Sequence, residues 1–139
     1  MVQQPEARST NLPARKDVPR EVNEGEGVWF LVELGAPAAK ETSVDFRTRD
    51  GSAKAGYDYI SSKGTITLEI DDQWVKVWVQ TLADDIMEAD ETFSLVLENP
   101  RGATFPGGVD ELVAERTIKN DISLLGVTNL EGEIYDVAV

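Results

Sequence analysis

The sequence predicts an all-β fold, an antiparallel sandwich of about seven strands. Three observations predict it. Apolar and polar residues alternate with period two in several short runs, the pattern of strands with one face buried. Clusters of Gly, Asp, Asn and Pro separate those runs and supply turns. No stretch shows a 3.6-residue apolar period bounded by capping residues, so little helix is expected.

Residues 1–18, rich in Gln, Pro, Arg, Ser and Asn, read as a flexible leader. The domain is expected over 19–122. Val28, Phe30, Val32 and Leu34 alternate with Trp29, Leu31 and Glu33. Val44, Phe46 and Thr48 alternate with Asp45, Arg47 and Arg49. Asp50-Gly51 then supplies a turn with a glycine able to take positive φ, and Gly56 and Gly64 are backbone-geometry positions by the same logic. The alternation resumes over 64–70 and is broken by Asp71-Asp72. Val75, Val77, Val79 and Thr81 share one face of the next run. Residues 93–98 form another, followed by a Gly/Pro-rich loop from Asn99 to about Gly108 and a last strand near Leu112 to Lys119. Seven short strands with turns between them argue for a sandwich of immunoglobulin-like type. The tail, 123–139, alternates again at its end and reads as an extra edge strand or the opening of a following repeat.

Composition bounds the function. The chain has 139 residues, 41% hydrophobic and 28% charged, which suits one soluble domain with a real core. A net charge of −13 and a pI near 4.3 argue against nucleic acid, which is bound through Lys and Arg, and against anionic lipid. Cations and basic protein surfaces are the partners that charge favours. With no Cys and no His there is no disulfide framework, thiolate nucleophile, Ser-His triad or ordinary zinc site. No apolar run reaches the length of a membrane span, so no direct membrane insertion is expected. The first residues lack the apolar core of a secretory signal.

The stretch 81–93 joins two strand-like runs and carries Asp84, Asp85, Glu88, Asp90 and Glu91. So much negative charge in a short connection is unfavourable unless water, a cation or a basic partner absorbs it. Taken alone, it reads first as a solvated acidic turn, with a cation site as the alternative.

Placed on these elements, the chain resembles a Calx-beta domain, a module of sodium–calcium exchangers, large adhesion receptors and bacterial surface proteins. The resemblance runs from Glu21-Val22-Asn23-Glu24-Gly25 to Asn120-Asp121. Its most specific parts are Asp50-Gly51-Ser52-Ala53, Gly56-Tyr57-Asp58-Tyr59, Gly64-Thr65, the acidic stretch ending Asp90-Glu91-Thr92-Phe93, and Asn99-Pro100-Arg101-Gly102. It implies one sheet of strands A, B and E, another of D, C, F and G, and Ca2+ held between loops at one end. The ligands it implies are Glu24, Asp58, Asp84, Glu88, Glu91 and Asp121 with the Ile86 carbonyl, and Asp85 and Asp90 as secondary candidates. Such a set suits calcium, which takes 6–8 oxygens at about 2.3–2.6 Å. No EF-hand loop occurs. Members that bind several ions carry an acid where this chain has Ala83, and aspartates where it has Asn120 and Ile122. The departures imply one or two ions, bound more weakly. Asp58 and Glu24 each retain a plain alternative as turn residues.

A second candidate surface comes from the tryptophans. If Val28 and Val75 face inward, Trp29, Leu31, Trp74 and Trp78 face outward on neighbouring strands and form an apolar patch for protein contact. The alternative is that leader, tail or an adjoining domain covers it. An enzyme is not expected: paired carboxylates suited to glycoside hydrolysis need a sugar cleft, and nothing in the chain reads as a cleft-forming insertion. The reading is a calcium-binding module that rigidifies or regulates a larger adhesion or membrane-associated protein, its partners calcium and neighbouring domains; the alternative is a metal-independent interaction or spacer module using the Trp face.

Overall fold

Among the described residues, runs with one apolar and one polar face form strands such as Gly27–Glu33 and Thr42–Asp50, whose apolar faces are buried. The computed structural model describes residues 6–8, 18–83 and 88–120. In order the strands are β1 (Glu6–Arg8), β2 (Glu21–Asn23), β3 (Gly27–Glu33), β4 (Thr42–Asp50), β5 (Lys63–Leu68), β6 (Trp74–Gln80), β7 (Glu91–Arg101) and β8 (Glu111–Lys119). Helix among the described residues is confined to one 3-10 turn, Pro106–Gly108, and no helix is long and apolar enough to cross a membrane.

Two sheets pack face to face, with strand orders β1-β6-β3 and β2-β8-β7-β4-β5. Neighbours are antiparallel except β2, which runs parallel to β8. This is the expected division, with two additions. The first strand is split, β1 joining one sheet and β2 the other. Part of the expected leader, Glu6–Arg8, is also a strand, paired with β6.

The core lies between the sheets. Val28 and Phe30 of β3 and Val75, Val77 and Val79 of β6 meet Val44, Phe46, Phe93, Leu95 and Ile66 from the facing sheet. Val28, Val79 and Phe93 are wholly buried; burying such a side chain contributes about 1.5–3 kcal/mol each. Phe93 stacks on Tyr59 at 4.3 Å and meets Phe30 edge-on at 6.0 Å, so aromatic packing ties β3, β7 and the loop after β4 together.

Two local expectations are corrected. β7 does not stop at Asn99: it runs to Arg101 through a bulge, the pairing jumping from Asp45–Glu98 to Ser43–Arg101 with Asn99 at φ 55°. One extra residue in β7 is absorbed there. The bulge is clamped by Asp45, which accepts from Arg101 Nη2 at 2.8 Å, Thr65 Oγ1 at 2.9 Å and Asn99 Nδ2 at 3.1 Å. Arg101 above all, then Asn99 and Thr65, hold the Asp45 carboxyl far below its ordinary range. Gly51 is required for close approach, not for a left-handed φ. A Cβ there would sit 2.5 Å from the Thr92 carbonyl oxygen, where Ala53 N donates to that same oxygen at 2.8 Å. Gly56 does take positive φ, 88°, while Gly64 clears the Phe46 ring.

Candidate metal centre

The β2–β3 turn supplies Glu24. Gly25, at φ 87°, reverses the chain. Its carbonyl accepts from Gln80 Nε2 at 2.9 Å, and the Glu26 carbonyl accepts from Thr81 Oγ1 at 2.5 Å. Glu24 N donates to the Lys119 carbonyl at 3.2 Å. Glu24 is thereby held where β6 and β8 end, at one rim of the sandwich.

The loop after β4 supplies Asp58, a buried residue. Lys54 N donates to Asp58 Oδ2 at 2.7 Å, and Asp58 N donates to the Lys54 carbonyl at 2.8 Å. Asp58 is therefore a turn cap, as its plain alternative had it, but the cap leads it into the rim. Leu82 N donates to the Asp58 carbonyl at 2.9 Å, stitching this loop to the end of β6.

The β6–β7 connection supplies Glu88 and the first residue of β7, Glu91. Asn120 secures it: its side-chain amide donates to the Glu88 carbonyl, and its backbone N–H donates to Asp90 Oδ1 at 3.1 Å. Asp90 turns away into an ion pair with Lys119 at 2.8 Å, which pulls its pKa down.

Carboxylate oxygens of Asp58, Glu88 and Glu91 come within 4.8 Å of one another. Two oxygens on one calcium ion, each at about 2.3–2.6 Å, can be no more than about 5 Å apart, so this spread fits a shared hard cation. The electrostatics agree. The Glu91 pKa is raised, first by burial and then by the charges of Asp58 and Glu88, with Glu24 adding a smaller push. Like charges this close are the condition that a divalent cation relieves.

Of the ligands expected from sequence, Asp58, Glu88 and Glu91 are brought together, Glu24 stands near enough for its charge to reach Glu91, and Asp90 is committed to Lys119. Asp84, Asp85, Ile86 and Asp121 lie outside the described residues, as does the tail. Ala83 sits beside Gly25, 3.2 Å from where a Cβ on that glycine would be, so a side chain there borders the rim. Sequence reasoning took Asn120 only as a lost aspartate. Its amide instead braces the acidic connection, a role signalled by nothing in the sequence beyond its place at the end of β8.

Of the three tryptophans, Trp74 departs from the expected arrangement. Trp29 and Trp78 are register partners on β3 and β6, both half-buried. Lys76 Nζ lies 4.3 Å over the Trp29 ring, and the Trp78 ring closes over Gly27, whose added Cβ would meet it at 2.5 Å. Leu31 is also half-buried. Trp74 is only 6% exposed and offers no open surface. It lies on the central strand of its sheet, with Arg8 of β1 paired on one side and Glu33 on the other.

Comparison with known proteins bears on the family and the fold. The family model described as "Calx-beta domain" matches residues 16–121. Sodium/calcium exchanger 3 of Homo sapiens is 38% identical over 79 residues, 57% of this chain and 8% of that protein. Sodium/calcium exchanger 1 of Rattus norvegicus is 37% identical over 71 residues, 51% of this chain and 7% of that protein. The chain thus spans a small part of the curated relatives it matches. A structure titled "Crystal structure of Apo-form Calx CBD1 domain" superposes with a TM-score of 0.67 at 24% identity, over 76% of this chain and 93% of that one. Another, "Crystal structure of calcium binding domain CBD12 of CALX1.1", gives 0.67 at 25% identity, over 76% and 43%.

Proposed function

The chain belongs to the Calx-beta family, and from that premise we propose that it is a calcium-binding module which stiffens or regulates a larger multidomain protein, in a membrane-associated or extracellular setting. It is not an enzyme. The observation that carries the reading is the meeting of Asp58, Glu88 and Glu91, from separate connections, within 4.8 Å. Asp58, Glu88 and Glu91 would hold the ion, with Glu24 beside them and Asp84, Asp85, the Ile86 carbonyl and Asp121 as further proposed ligands. The ion supplies positive charge. The chain's part is to hold carboxylates that repel one another when bare, and whose connections are pinned together once the repulsion is neutralised. With Ala83 and Asn120 in place of acids, the site is proposed to take one or two ions. Support from relatives lies in the names sodium/calcium exchanger and calcium binding domain, which belong to those proteins.

Thermal melting in millimolar calcium, in magnesium and in chelator tests this. Calcium at about 100-fold over Kd adds roughly 2.7 kcal/mol, several degrees for a domain of this size. Asp58→Asn combined with Glu88→Gln should abolish the shift. Identical melting of wild type in calcium and chelator would sink the reading. A second reading, a metal-independent contact surface, has in its favour the half-buried Trp29 and Trp78 with exposed Lys76 over the Trp29 ring.

A further inference from the structure

We infer that Asp50 is a positioning residue for the cation site: one of its carboxylate oxygens fixes both ends of the turn that presents Asp58. This rests on the reading of the rim as a cation site. Asp50 is the last residue of β4 and lies outside the three-carboxylate cluster. Its Oδ1 accepts from Ala55 N at 2.9 Å and from the Tyr59 hydroxyl at 2.5 Å. Between those two donors lies the turn itself. Ala55 and Tyr59 pair as an isolated bridge, Gly56 N donates to the Tyr59 carbonyl at 2.8 Å, and the Asp58 carboxylate caps Lys54 N–H.

Tyr59 is the reason the clamp reaches the rim. The residue is 1% exposed, and its ring stacks on Phe93, two residues beyond Glu91 on β7. It also pairs with Thr81 at the end of β6. A shift of Tyr59 therefore moves Asp58 relative to both Glu91 and the β6–β7 connection. A carboxylate bonded to a phenol and a backbone N–H holds that ring more firmly than a neutral acceptor does. The arrangement corresponds to the outer partners that orient metal ligands in other sites.

Calorimetric calcium titrations of the full chain, with hydrogen exchange at the Lys54 amide in chelator, test the assignment. Asp50→Ala should weaken calcium binding about 10-fold, the usual effect of removing an orienting partner. Asp50→Asn keeps the acceptor oxygen without the charge and should weaken binding only about 2–3-fold. Tyr59→Phe keeps the stacked ring and should fall between them, so the assignment stays open to refutation even where Asp50→Ala folds poorly. Exchange at Lys54 should quicken in Asp50→Ala while amides paired between β3 and β6 stay protected. Equal losses in Asp50→Ala and Asp50→Asn would mean charge acting at a distance, and would overturn positioning. Unchanged affinity in all three variants, or unchanged Lys54 exchange, would overturn it too. Wild-type chain that takes up no calcium overturns the site itself, and is recognised before any substitution is made.

Discussion

Glu91 is a carboxylate that folding disfavours. Burial and the charges of Asp58, Glu88 and Glu24 raise its pKa above the ordinary 4.5. Between its unfolded and folded pKa values the folded chain binds more protons, so ion-free stability falls as pH rises through that window. Asp90, lowered by Lys119, acts oppositely: its contribution is present above its unfolded pKa of 3.8 and is lost as pH falls through the folded value. Glu91→Gln should therefore raise the ion-free melting temperature near neutral pH, by roughly 2–4 °C, while losing the calcium response. Melts in chelator from pH 4.5 to 7.5 check this; a mutant less stable than wild type at pH 7 refutes it. At this scale the sequence was partly legible. Asp58, Glu88 and Glu91 carry the acidic spacing that the family resemblance uses. That Asp90 leaves the cluster depends on Lys119, 29 positions away, which is not a property of its neighbours in sequence.

The loop between β4 and β5 shows two glycines required for different reasons, which substitution separates. Gly51 lies against the Thr92 backbone, so Gly51→Ala must push β7 away or break the Ala53–Thr92 hydrogen bond, costing about 1–3 kcal/mol. Gly56 has open space around its missing Cβ and only a positive φ to satisfy, so Gly56→Ala costs about 1–2 kcal/mol. Asn tolerates that conformation better than Ala. Gly56→Asn should recover part of the loss and Gly51→Asn none, as read by urea denaturation. Recovery at Gly51 would show that backbone strain, not contact, governs it. Strand positions were legible in sequence because half-buried strands announce themselves by alternation. The bulge at Asn99 was not, since register is set by Asp45 across the sheet on β4, which takes hydrogen bonds from Asn99 and Arg101 of β7 and from Thr65 of β5. The sense of Gly51 was hidden likewise: a dipeptide signals a turn, but only the approach of β7 says why glycine is needed.

Across the whole molecule, charge is distributed unevenly. The ion pairs among the described residues, Arg47–Glu98, Arg49–Glu111, Arg101–Asp45 and Lys119–Asp90, all involve β4, β7, β8 or the residue just before β7. The basic side chains of these four pairs lie along the five-stranded sheet, and Asp58, Glu88 and Glu91 face one another at the rim. With 26 acidic against 13 basic residues, the folded chain concentrates negative charge that the unfolded chain spreads out. Monovalent salt should relieve part of this without entering any site, because the screening length falls from about 30 Å at 0.01 M to about 8 Å at 0.15 M. The ion-free chain should accordingly melt higher in 0.15 M than in 0.01 M sodium chloride. The gain should be smaller in Glu91→Gln, where one rim charge is already removed. The exposed ion pairs weaken in salt and pull the other way, but each contributes only about 0–1 kcal/mol, so the net repulsion decides the sign. A melting temperature that falls with salt would mean that those pairs outweigh the rim, and the rim would then need no cation to relieve it.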